Sequence, residues 1–261
     1  MRTGSWCLFL FSFFLFASDL QAAPPSGLSW KKIAEFSDEF DGEHLDASKW
    51  YPLNPKWVGR FPSFFSRENV RLRDGNLVIF GTKVDLDDPF FKKGIRYFTG
   101  TLKSQRPIKY GYFEVRAKIG DSRISSSFWL YDHSKVTWTE IDIFELCGKP
   151  PCSKFFHTNL HARVSDPLTG GFVDKEWPKK FASKEILSES WFVAGFEWGE
   201  DWLRWYVDGK LIREEKNTHW HDPLYVVLDS EVFEKWFGEP ESSELPSEFF
   251  VDYVRVWQVS N

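Results

Sequence analysis

The sequence lacks any run of basic residues, and no stripe of Lys or Arg is interleaved with aromatics. That excludes the electrostatic footprint of a nucleic-acid-binding protein. Net charge is −5, a weak bias against a densely sulfated polymer unless local Arg and Lys oppose it. After residue 17 no stretch is apolar enough to fill the ~20 residues of a membrane span, so no membrane partner is expected. Cysteine is scarce, three in 261 residues. Cys147 and Cys152 have no His pair beside them, which makes a poor zinc site. Helical periodicity is scarce too. Without a strand–helix–strand rhythm, a doubly wound α/β sheet is excluded. There is no internal repeat, and no low-complexity linker after Pro24-Pro25-Ser26-Gly27.

What is present begins with one positive charge at Arg2, a short apolar run to Ala17, and small residues at Ala22 and Ala23. That is the layout of a secretory signal peptide over residues 1–23, with an N-terminal anchor as the competing reading. The mature chain is expected to be soluble, extracellular and monomeric, with residues 24–261 as one domain. In an oxidising compartment Cys147 and Cys152 are expected to form a disulfide. Aromatics make up 19% of the chain, with 14 Trp. Many must be core, yet Trp and Tyr also offer flat apolar faces with a polar edge, which suits the C–H faces of sugars.

Strand-like runs recur with turn signals between them. Asn69–Arg73 and Asn76–Gly81 flank Asp74-Gly75, a hairpin signature. Tyr110–Ile119 alternates apolar and polar residues. Trp191–Trp198 and Trp202–Val207 flank a Gly199-Glu-Asp201 turn, and Asp208-Gly209 opens another. Leu224–Leu228 and Phe249–Trp257 are further strands. Many short strands predict an antiparallel sandwich, with the polar connections Leu86–Gly94 and Ser165–Lys180 rimming one face.

The informative segment is Thr139-Glu-Ile-Asp-Ile-Phe-Glu145. In a strand Glu140 and Asp142 share a face, and Glu145 points the other way, because its offset from Glu140 is odd. One β-bulge adds a residue and returns Glu145 to their face. Three acids crowded on one face repel and raise one another's pKa values. That cost has a use where one acid must stay protonated. Glu140 then serves as nucleophile and Glu145 as general acid, then base, of a retaining glycosidase, whose carboxyls stand about 5–5.5 Å apart. Asp142 would support the nucleophile and help hold a proton in the cluster. The same spacing would also serve an exposed acidic strand edge or a calcium site.

The context resembles glycoside hydrolase family 16. Glu140-Ile-Asp-Ile-Phe-Glu145 is similar to that family's signature in its bulged form. Phe36-Ser-Asp-Glu-Phe40, Leu45-Asp-Ala-Ser-Lys-Trp50, Gly111-Tyr-Phe-Glu-Val-Arg-Ala117 and Val251-Asp-Tyr-Val-Arg-Val-Trp257 resemble its opening, a central strand and its last strand. Within the family the likeness is to the β-agarases and porphyranases, through Phe128-Trp-Leu130, Asn159-Leu-His-Ala-Arg-Val-Ser-Asp-Pro167, Asp229-Ser-Glu231, Trp236-Phe-Gly-Glu-Pro240 and Glu244-Leu245. The resemblance implies an all-β, concanavalin-like jelly-roll sandwich of two antiparallel sheets with a concave substrate cleft. It implies internal cleavage of β-1,4 linkages in a red-algal galactan, a polysaccharide partner, and no cofactor for catalysis. Thr139 stands where laminarinase-type signatures carry Gly, which lowers the β-1,3-glucanase reading. Cys147-Gly-Lys-Pro-Pro-Cys152 departs from the agarase pattern.

The resemblance also implies roles for other residues. Trp129 would stack under the sugar beside the scissile bond, and His161 and Glu231 would contact substrate. Trp138 shares the parity of Glu140 and is expected on its face. Trp57, Arg60 and Arg67 fall where the cleft's N-terminal loop should be, to stack a distal sugar or pair with a sulfate. Glu39, the Gly75 carbonyl and Asp252 match a structural calcium site, whose oxygen donors suit that ion. A β-1,3-glucanase, a κ-carrageenase, a transglycosylase and a non-catalytic sugar-binding protein on the same fold are the alternatives. The last is disfavoured because both glutamates are present.

Overall fold

The sequence is rich in strand signals, and strands dominate the chain. The computed structural model describes residues 24–260. The expected signal peptide lies outside the described residues. Two sheets, of ten and eight strands, face each other. Among the described residues, helix is limited to the single α-turn Pro89–Lys92 and three 3-10 turns. The Asp-Gly pairs of the two expected turns take the left-handed backbone that such hairpins require: Asp74 and Gly75 at φ 52 and 72, Asp208 and Gly209 at φ 47 and 73.

The eight-stranded sheet carries the cleft. Its order is Phe172–Glu176, Phe155–Ser165, Trp138–Leu146, Ser126–Asp132, Tyr225–Asp229, Thr101–Ser104, Trp50–Tyr51, and Lys179–Ala182 pairs onto one end of Phe155–Ser165. The expected polar connection Ser165–Lys180 therefore contains the strand Phe172–Glu176 and the start of another at Lys179. Phe172–Glu176 is exposed along its whole length and is held by backbone pairing to His161–Ser165. With no apolar face to bury, it leaves no periodic signal. The pairs are antiparallel except one, Ser63–Phe65 beside Tyr97–Thr99.

Between the sheets lies a core rich in Phe and Trp. Phe144 sits at its centre. Its ring meets Phe128 and Phe156 of the cleft sheet at 6.1 and 5.7 Å, and Phe192 and Phe249 of the opposite sheet at 5.5 and 6.3 Å. Two core indoles reach the back of the acid-bearing strand. Trp205 Nε1 donates to the Asp142 carbonyl at 3.3 Å. Trp220 Nε1 donates to the carbonyls of Glu140 and His161 at 2.8 and 3.2 Å. The Cys147–Cys152 disulfide closes just past this strand, with Cα atoms 5.8 Å apart, and packs with Phe237 and Phe233.

Phe144 is 0% exposed and lies inside the segment whose irregular register aims Glu145. Phe144→Ala is expected to cost about 3–5 kcal/mol by loss of buried area and a residual cavity, read by urea unfolding, and to lower activity with it. A loss under about 1 kcal/mol would show that the packing behind the acids is dispensable.

Candidate active site

Strand register sets the floor of the cleft. Against Ser126–Asp132, Glu140 lies opposite Tyr131 and Asp142 opposite Trp129. The register then shifts between Asp142 and Phe144, so Phe144 meets Phe128 and Glu145 meets Ser127. This is the bulge the odd offset demands. On the other side Glu140 faces His161 and Asp142 faces Asn159. The three acids thus share one face with Trp129, Tyr131 and His161.

The cleft continues across these acids in two lobes. The first, about 280 Å³, is lined by Trp57, Arg60, Trp129, Tyr131, His133 and Trp138 among others. The second, about 520 Å³, is lined by Asn159, His161, Lys180 and Trp236 among others. Glu140, Glu145 and Arg60 border both.

Crowding shows in the charges. Burial, then the charges of Asp142, Glu140 and Asp229, pushes Glu145 well above the usual carboxylate range. Burial and Glu140 raise Asp142 to about 6, against the opposing pull of His161. His161 Nε2 lies 3.2 Å from Asp142 Oδ2 and 3.7 Å from Glu140 Oε1. Burial alone would lower the imidazole; its pairing with Asp142 and the charge of Glu140 outweigh this and hold it at about 9. His161 is therefore a cation at neutral pH. The stability this pairing contributes is lost as pH rises through about 9, where the imidazolium gives up its proton, and as pH falls through about 6, where Asp142 takes one.

The structure brings together most of the expected residues. Trp129 Nε1 donates to Asp229 Oδ2 at 3.1 Å, and its ring stacks on Tyr131 at 4.5 Å. Trp57 Nε1 donates to Glu231 Oε1 at 2.7 Å, and Arg60 Nε lies 3.4 Å from Glu231 Oε2. Burial raises Glu231, with Arg60 and Trp57 opposing. Arg67 is not among these. It lies over Tyr51, at the last strand of the cleft sheet, and lines neither lobe.

Tyr131, which lies opposite Glu140, and Asn159, Lys180 and Trp236 in the second lobe were not singled out as site residues from sequence, and two further groups, likewise missed, stand close to the acids. His133 Nε2 lies 2.9 Å from Glu140 Oε2, and its ring packs on Trp138 at 4.0 Å. It directly follows the strand Ser126–Asp132 and continues the alternation of Trp129 and Tyr131, which places it on the cleft face. Asp229 is fully buried at the floor, raised well above the carboxylate range by burial and Glu231. Alternation along Tyr225–Asp229 would have placed it there.

The residues expected to hold calcium stand apart from this cleft. Glu39 pairs with Arg255 and Lys32, each at 2.7 Å. Asp252 pairs with Arg116 at 2.7 Å. As placed, both carboxylates are met by cationic side chains and do not present a free set of oxygen donors. The one group of three potential metal-ligating side chains among the described residues is Glu140, Asp142 and His161, where His161 itself supplies the positive charge.

Comparison with known proteins agrees with this geometry. The family model for the beta-porphyranase A–D GH16 domain matches residues 30–259. Beta-porphyranase E of Zobellia galactanivorans is 30% identical over 88% of each chain. Beta-porphyranase B of Phocaeicola plebeius is 33% identical over 90% of this chain and 86% of its own. The crystal structure of porphyranase B from Zobellia galactanivorans superposes with a TM-score of 0.76 at 26% identity, covering 89% of this chain and 94% of that one.

Glu145→Gln is expected to lower kcat by about 10²–10⁴-fold, the range for loss of a general acid, with circular dichroism unchanged. Asp142→Asn removes the largest charge acting on Glu145. Glu145 then gives up its proton at lower pH, and the basic limb of the kcat/KM profile moves toward acid. A limb that stays in place would show that Asp142 does not set the acid.

Proposed function

The chain belongs to glycoside hydrolase family 16, and from that premise we propose that it is a secreted, retaining endo-hydrolase of a red-algal galactan of the agarose–porphyran type. It is an endo-glycosidase of the porphyranase, agarase and carrageenase kind. The observation that carries the mechanism is the bulged strand, with Glu140 and Glu145 on one face and burial and the neighbouring charges pushing Glu145 toward protonation.

Glu140 attacks the anomeric carbon as a carboxylate, flanked by His133 and His161. Glu145, kept protonated, delivers its proton to the departing glycosidic oxygen. The covalent glycosyl-enzyme is then opened by water, which gives its proton to Glu145. His161 holds Asp142 beside the nucleophile and offsets its charge. Trp129, Trp138 and Trp57 offer stacking faces over several sugar residues, as internal cleavage requires. The galactan assignment rests on the porphyranase relatives together with these faces. Secretion rests on the leader-like first 23 residues.

Product analysis on agarose, porphyran, κ-carrageenan and laminarin, with early products followed by proton NMR, tests both parts. We expect oligosaccharides from a galactan, first released as the β-anomer. Products from laminarin alone would overturn the galactan; α-anomers first would overturn retention.

A further inference from the structure

The second lobe of the cleft contains chemistry that bond cleavage does not use. Lys179–Ala182 pairs with Phe155–Thr158 and sets Lys180 opposite His157. Alternation puts His157 on the face of Asn159 and His161. Lys180 Nζ sits 3.7 Å from the centre of the Phe155 ring. Trp236, 43% exposed, is stacked on Phe237 at 4.2 Å and meets His157 edge-on at 5.2 Å. Phe237 packs on the Cys147–Cys152 disulfide. The indole is thus braced from behind and presented to the lobe.

Three features are left unexplained by hydrolysis. Lys179 and Lys180 line the lobe, and among the described residues neither forms an ion pair. Apart from the catalytic glutamates, Glu176 is the one acid lining it. His157 Nε2 is buried with no hydrogen-bond partner. Burial, with Lys180 adding, lowers this imidazole to about 4, so it is neutral at neutral pH. The other Lys and Arg side chains lining the two lobes are engaged: Arg60 by Glu231 and by the Phe233 ring, Lys56 by Asp132 at 3.9 Å. Among the residues lining the two lobes, the cations without an acidic partner are therefore gathered in this one.

We propose that the lobe is a subsite for a sulfated sugar residue, with Trp236 against the pyranose face, Lys180 and Lys179 on the sulfate ester, and His157 Nε2 on a hydroxyl. This rests on the reading of the cleft as a galactan site. Lysine acts here as a point charge, tolerant of where on the ring the sulfate sits. The lobe, at about 520 Å³, falls within the ~300–1,000 Å³ of ligand pockets.

The test uses the full-length Glu145→Gln protein and calorimetric titration with two probes, porphyran oligosaccharides and agarose oligosaccharides. Adding Lys180→Ala is expected to lower the ratio of porphyran to agarose affinity about tenfold, the range of one charge-assisted contact. Adding Trp236→Ala is expected to weaken both probes. An unchanged ratio in Lys180→Ala, with both probes still bound, overturns the sulfate subsite and leaves the galactan reading standing. Failure of the Glu145→Gln protein to bind either probe overturns the galactan reading, and the subsite with it.

Discussion

Like-charge crowding on a buried strand governs this molecule. Glu140, Asp142 and Glu145 share a face with Asp229 and Glu231 close by. Five carboxyls cannot all ionise in so small and dry a space, because burial and mutual repulsion both disfavour the charged forms. The cluster holds protons as a group. His161 lies against Asp142 and Glu140, while burial and the neighbouring charges push Glu145, at the far end, toward protonation. Arg60 and Trp57 lie against Glu231 on the opposite wall. On the proposed mechanism, the asymmetry between a nucleophile and an acid on one strand is an electrostatic property of the whole floor.

Such an arrangement costs stability, and the core behind it offsets that cost. Phe144 is the inward neighbour of Glu145 and ties the two sheets together through four aromatic contacts. The bulge turns Phe144 into the core and Glu145 out of it in consecutive positions. Trp205 and Trp220 donate to carbonyls of the same strand from within the core. Their indoles are satisfied by the strand they support. Rigid packing behind a repelling cluster keeps the acids from relaxing apart, which is what preorganisation of a charged site requires.

Much of this was legible in the sequence because it follows from parity. The odd offset between Glu140 and Glu145 demands a bulge, and Trp138 follows from its parity with Glu140, whereas His161 rests on the family likeness alone. The Asp-Gly turns declared themselves by their need for left-handed backbone. What parity could not reach lies in irregular segments. Arg67 was expected at the cleft because it belongs to the N-terminal loop region, yet that loop turns it onto Tyr51. Phe172–Glu176 was read as a connection because a strand exposed on both faces carries no apolar alternation. Asp229 was within reach, since the alternation of its strand points it to the floor, but the neighbouring Glu231 drew the assignment. His133 was within reach too, since it continues the alternation of Trp129 and Tyr131 just past the strand end.

The two arms of the cleft differ in how their polar groups are satisfied. On one arm Trp57, Arg60 and Glu231 close on one another, and Trp129 closes on Asp229. Substrate there meets an assembled wall, whose stacking faces are held in place by their own hydrogen bonds. On the other arm Lys180 and His157 Nε2 have no protein hydrogen-bonding or ion-pair partner among the described residues. A buried polar atom without a partner costs free energy, and so persists most readily where a ligand completes it. The Cys147–Cys152 bridge links this arm to the chemistry, because it closes directly after the acid strand and backs Phe237, on which Trp236 stacks. The segment that departs from the agarase pattern is thus the one that shapes the unsatisfied arm.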